Sequence, residues 1–231
     1  MCGVPFHSAD SYIARLVEKG YKVAICEQTE DPKKAVGIVD RDVIRVITPG
    51  TITDLNVLED KTNRYMMAIY KQGACYGLCT VDTGTGECYS TQIVLGATKD
   101  KVINEAARFM PVEVIVNSEA EFLKDQLQKV SGSYVYKVED ALFSRENAIT
   151  RLKEQFKNVS DDLSSYHIGA NAAGALLLYL DRLQKVFPKH IDQLNLYEYE
   201  GFMGMDVVAR RNLELTETLL ERKKTGSLLW V

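Results

Sequence analysis

Few residues in this chain are of a type and spacing suited to chemistry. Val81-Asp82-Thr83-Gly84 has the form in which a tight turn presents one carboxylate to another so that the two share a proton, as in aspartic proteases. Asp, Thr and Gly are also what a hairpin turn prefers on steric and hydrogen-bonding grounds, and a protease would need a second such turn, which only a homodimer could supply. The turn reading is the simpler one. Cys2, Cys26, Cys75, Cys79 and Cys88 are odd in number and sit mostly in apolar strand patterns, which reads as reduced thiols in a reducing compartment. Cys75 and Cys79 have no second Cys or His pair near them, and His7, His167 and His190 are scattered, so no metal site is expected. Gly-Lys occurs nowhere, which removes the G-x-x-x-x-G-K-[ST] phosphate loop. Two arginines remain. Arg41 and Arg45 project to one face of a strand if that strand is regular, opposite Ile44 and Val46. By itself this supports a polar sheet face with a mild electrostatic purpose, or an exposed pair balancing Asp40 and Asp42.

The elements that must hold these residues follow from periodicity. Ser8 is a candidate N-cap for a helix over 9–19, with Ala9, Tyr12, Ile13, Leu16 and Val17 on one face and Gly20 as its stop. Strands are expected at 21–26 and 42–48, the second ended by Pro49-Gly50, with Pro32 and Gly37 in the connection. A polar crossover over 53–62 leads to three strands at 64–70, 75–82 and 87–94 joined by tight turns. A helix (99–110), a strand (112–116), a helix (119–130), a strand (134–138) and a helix from a Ser144 cap to Phe156 complete the order βββαβαβα. That order is that of the ribonuclease H-like fold, an α/β class. Nucleases of that fold cluster carboxylates around two metal ions, but the strand at 64–70 carries no acid, and Asp82 and Glu105 are isolated. A metal-dependent nuclease is therefore the alternative rather than the main reading. In the last of these helices Ala148, Ile149, Leu152 and Phe156 turn inward, which leaves Thr150, Arg151 and Glu154 for solvent and a partner protein. Beyond a polar linker at 158–165, a mostly apolar helix (170–187), a short extended piece (194–199) and a long helix from Gly204 or Asp206 to Lys224 are expected.

Composition sets wide bounds. With 231 residues, 46% hydrophobic and 26% charged, the chain can bury a core in one large domain or two smaller ones. Its net charge of −4 argues against a general polyanion binder, although a local basic face is compatible with it. No apolar run approaches the ~20 residues of a membrane span, so no membrane is expected. The opening Met-Cys-Gly-Val-Pro and the final apolar Ser-Leu-Leu-Trp-Val give the expectation of a large fragment.

Four phrases are more specific than any of this: Met-Cys-Gly-Val-Pro-Phe-His (1–7), Ile-Cys-Glu-Gln (25–28), Arg-Val-Ile-Thr-Pro-Gly-Thr (45–51) and Ala-Arg-Arg-Asn-Leu-Glu-Leu-Thr-Glu (209–217). In this order they resemble the MutS family of DNA mismatch-repair ATPases, over essentially the whole chain. The resemblance implies the C-terminal part of the mismatch-recognition domain at 1–54, a ribonuclease H-like connector at 55–160 and the N-terminal part of the helical core and lever at 161–231. It implies a cytoplasmic, nucleoid-associated, homodimeric parent of bacterial type that binds mispaired or looped DNA and uses ATP and Mg to become a sliding clamp. That parent recruits MutL, with the connector carrying much of the contact. Arg41 and Arg45 match basic positions where the family's first domain approaches the DNA backbone. The family's mismatch-probing Phe-x-Glu lies before residue 1 and its phosphate loop beyond residue 231. The fragment is therefore expected to be a scaffold and partner surface with no catalytic residue and no cofactor of its own.

Overall fold

Alternation of apolar side chains at 66–69 decides the architecture, because both faces of that strand are buried: Met66 and Ala68 enter one core, Met67 and Ile69 another. The computed structural model describes residues 3–29, 39–51, 63–94, 96–157, 159, 167–184, 189–201, 203–221 and 223–230. Pro32 and Gly37, the crossover at 53–62, most of the linker at 158–165 and the end of the helix expected at Phe187 lie outside them.

Helix α1 (Phe6–Glu18) is followed by β1 (Val23–Gln28) and β2 (Arg41–Ile47), which pair antiparallel as a two-stranded sheet. The helix starts earlier than expected: Pro5 is its N-cap, and Ser8 donates its hydroxyl to the Pro5 carbonyl at 3.0 Å instead of capping. Its buried stripe is Ile13, Ala14 and Val17, packed on Ile47, while Tyr12 and Leu16 are exposed, so the apolar face is narrower than the pattern promised.

A meander of β3 (Tyr65–Gln72), β4 (Cys75–Asp82) and β5 (Cys88–Ile93) comes next, then α2 (Lys99–Phe109), β6 (Glu113–Val116), α3 (Lys124–Ser131), β7 (Tyr134–Lys137) and α4 (Arg145–Gln155). With α5 (His167–Gln184) and β8 (Asn195–Leu196) they build a mixed six-stranded sheet of order β7-β6-β3-β4-β5-β8. β3–β4 and β4–β5 pair antiparallel; β3–β6, β6–β7 and β5–β8 pair parallel. Helices α2 and α3 cover one face through Val102, Ala106 and Leu127, and α4 and α5 cover the other through Leu152, Leu176 and Leu180.

Three expectations need correction. The helix foreseen at 119–130 is a 3₁₀ turn (Ser118–Leu123) followed by the shorter α3. The boundary at 160/161 falls inside a packed unit, since α5 and Leu194 belong to the same core as β3 and β4, and β8 extends the sheet. At Gly174 a Cβ would lie 2.3 Å from the Ala148 Cα, so α4 and α5 touch backbone to backbone. The long helix to Lys224 is also absent: α6 (Val207–Asn212), capped by Asp206 accepting from the Ala209 N–H, ends before Glu214, where φ is 48°. Its intended stripe residues Val208 and Leu219 are exposed, and a helix without a face to pack on has little to stabilise it.

Candidate nucleic-acid interface

The β1–β2 hairpin is not regular, and that separates the two arginines. Ile25 pairs with Arg45 but Cys26 pairs with Val43, so Ile44 is an extra residue in a β-bulge. Across a ladder, directly opposed residues share a face. Arg45 therefore stands with Ile25, Glu27, Asp42 and Ile47 on the face turned to α1, whereas Arg41 stands with Gln28, Cys26, Val43 and Val46 on the other. The expected common face does not exist. Arg41 is exposed, near the end of the hairpin where the Thr29 N–H donates to the Asp40 carbonyl at 3.0 Å, and its own face carries no carboxylate from either strand. Arg45 is half-buried and shares its face with two. Of the pair, Arg41 has the better setting for an anion such as a phosphate, because its planar fork is open to solvent on a face where neither strand places a carboxylate.

On α4, Thr150 and Glu154 are exposed, but Arg151 is not the solvent-facing residue that helical spacing implied. Its side chain is 12% exposed and lies on α5, where Nε and Nη2 donate to the two oxygens of Asp181 at 2.6 and 3.1 Å and Nη2 also meets Gln155 at 3.2 Å. Helical periodicity reports the angle of a residue on its own helix, not how close a neighbouring helix approaches.

The carboxylates weighed for catalysis have structural occupations. Asp82 accepts the N–H groups of Gly84 (2.8 Å) and Thr85 (3.2 Å) and so shapes the β4–β5 turn. Glu105 accepts from Arg108 at 2.9 Å and from the Tyr197 hydroxyl at 2.7 Å. Among the described residues, no group of three or more His, Cys, Asp or Glu is placed to hold a metal ion. Cys79 and Cys88 are buried with their Sγ atoms 3.9 Å apart, far beyond a disulfide bond, and burial pushes the Cys79 thiol well up, away from the reactive thiolate. No helix among the described residues is long and apolar enough to cross a membrane.

Residues that the sequence reading passed over lie where the hairpin meets the large sheet: Lys22, Glu113 and Tyr179. Glu113 did carry a signal, as a charge opening the otherwise apolar strand Glu-Val-Ile-Val, where it is fully buried. The Thr48-Pro49-Gly50-Thr51 turn, held by the Thr48 N–H on the Thr51 hydroxyl at 2.9 Å, brings the Gly50 N–H to that carboxylate at 3.1 Å.

Comparison with known proteins covers the whole chain. Family models described as MutS domain I and MutS domain II match residues 1–56 and 64–192. The second match takes in α5, in line with the packing. Proteins named DNA mismatch repair protein MutS are 49% identical in Ruminiclostridium cellulolyticum, 50% in Acetivibrio thermocellus and 43% in Clostridioides difficile. All of this chain is aligned in each case, against 27%, 27% and 24% of the relative, so the chain spans about a quarter of the length of these curated relatives.

Proposed function

Because the chain belongs to the MutS family of DNA mismatch-repair proteins, we propose that it is a non-catalytic piece of a MutS protein, acting as scaffold and partner surface. Residues 1–54 then form the C-terminal part of the mismatch-recognition domain. The six-stranded unit is a ribonuclease H-like connector, a reading supported by its antiparallel meander continued by the parallel strands β6 and β7. The parent recognises mispaired or looped DNA, responds to ATP with Mg, acts as a homodimer in the cytoplasm and recruits MutL. Nucleotide does not fit the residues present here: with no Gly-Lys pair there is no loop to offer backbone amides and a lysine to phosphates, so we assign it to the rest of the parent.

The observation that carries the DNA reading is Arg41, exposed on a face of the β1–β2 ladder where neither strand places a carboxylate, within the match to MutS domain I. A phosphate contact positions a protein without reading sequence. Arg41→Ala in the full-length protein is thus expected to weaken matched and mismatched duplexes by similar factors, with Arg45→Ala the milder of the two. A loss confined to mismatched duplex would make Arg41 a reader and not an anchor.

A further inference from the structure

Where the α1–β1–β2 module meets the six-stranded sheet, a row of hydrogen bonds crosses between them. Tyr134 and Tyr136, on one face of the edge strand β7, donate their hydroxyls to the carbonyls of Glu18 (2.8 Å) and Gly20 (2.9 Å) in the turn after α1. The Thr83 hydroxyl donates to the Gly50 carbonyl at 3.1 Å, and the Gly50 N–H donates to Glu113 Oε2 at 3.1 Å. A chain of two short bonds completes the seam: Lys22 Nζ donates to the Tyr179 hydroxyl at 2.6 Å, and that hydroxyl donates to Glu113 Oε1 at 2.6 Å. The Lys22 ammonium also sits 3.7 Å from the centre of the Tyr136 ring. Two glycines admit the close approach. A Cβ on Gly20 would lie 2.2 Å from the Tyr134 ring, and one on Gly50 2.3 Å from the Met66 side chain.

We propose that Lys22, Tyr179 and Glu113 form a releasable latch, which holds the α1–β1–β2 module on the sheet and lets it detach as a unit while the sheet stays folded. Two properties of the seam argue for release. The module has its own core, Ile13, Ala14, Val17 and Ile47, separate from both cores of the sheet, so it does not depend on docking for all of its burial. Hydrogen bonds cross the seam at Glu18, Gly20, Lys22 and Gly50, beside the apolar contact of Val46 with the sheet's core. Polar groups regain water when such a seam opens, whereas a wide apolar seam would lose its driving force. One property argues for a latch. Glu113 is fully buried when docked, and a buried carboxylate is costly unless donors and a countercharge meet it. Gly50 and Tyr179 supply the donors, and Lys22 supplies the charge through Tyr179. Removing the Lys22 donor therefore costs the docked state a hydrogen bond to Tyr179 that the detached module does not have. The latch stands on this seam and not on Arg41.

Amide hydrogen exchange on the whole chain tests it. Lys22→Met is expected to speed exchange at Gly50 and over α1, β1 and β2 by about tenfold, the equivalent of one lost charge-assisted hydrogen bond, with β3 and β4 unchanged. Lys22→Arg, which keeps the charge, is expected to restore most of the protection. Exchange unaltered by Lys22→Met, or raised equally in the module and in β3–β4, would overturn the proposal, the second by showing a loss of global stability without release.

Discussion

Arg151 is held by a bidentate pair with Asp181 in a setting where its own side chain is 12% exposed and its partner's 34%. Charge-assisted bonds of this geometry are worth more than a surface ion pair, and the planar guanidinium fork is what makes them parallel. Arg151→Ala is expected to destabilise the chain by about 1.5–3 kcal/mol, Arg151→Lys to recover only part of that, and Thr150→Ala to stay within about 0.5 kcal/mol. Urea melts compare the three, and an Arg151→Ala loss no larger than that of Thr150→Ala would mean the pair contributes nothing. A second residue effect belongs to alkaline pH. Burial, followed by Glu113 and Tyr134, pushes the Tyr136 hydroxyl up to about 12. As pH rises past about 10 the unfolded chain loses this proton while the folded chain keeps it, so stability present below 10 is lost between 10 and 12. Lys22 works in the opposite sense, since burial lowers its ammonium and Glu113 only partly restores it. Thermal melts of Tyr136→Phe should fall less steeply with pH in that window; an unchanged slope would show that Tyr136 does not set it.

At the scale of elements, α4 is the helix on which the sequence reading and the structure part in an instructive way. Its inward residues Ala148 and Leu152 were legible from spacing, as were the meander and α2, while the Thr98 cap that accepts from the Lys101 N–H at the start of α2 was not picked out. What spacing could not show is that α5 crosses α4 closely enough at Gly174 and Ala148 for Arg151 to reach Asp181. The bulge at Ile44 was equally silent, because isoleucine is an ordinary strand residue and the extra position is defined only by its partners. The seam was hidden for a related reason: Lys22, Glu113 and Tyr179 are brought together by docking, across up to 157 positions of chain. For the partner surface, Thr150 and Glu154 are the residues of the expected set left exposed. Replacing both, Thr150→Arg with Glu154→Lys, should lower MutL recruitment by the full-length protein on mismatched DNA. Unaltered recruitment with intact folding would remove α4 from that interface.

At the scale of the whole molecule, an acidic chain carries a stretch that matches MutS domain I beside a mixed α/β unit with both sheet faces covered. Its net charge of −4 means that any approach to a polyanion must rest on local features, which is why the orientation of one exposed arginine matters more than the overall count. The most direct measurement is the salt dependence of duplex binding by the full-length protein. Each neutralised phosphate releases a counterion, so Arg41→Ala should reduce the slope of log affinity against log salt by about 0.9, and Arg41→Lys, which keeps the charge, should leave most of the slope in place. A slope unchanged by Arg41→Ala would contradict the account, leaving Arg41 a solvated surface residue and the hairpin without a DNA anchor.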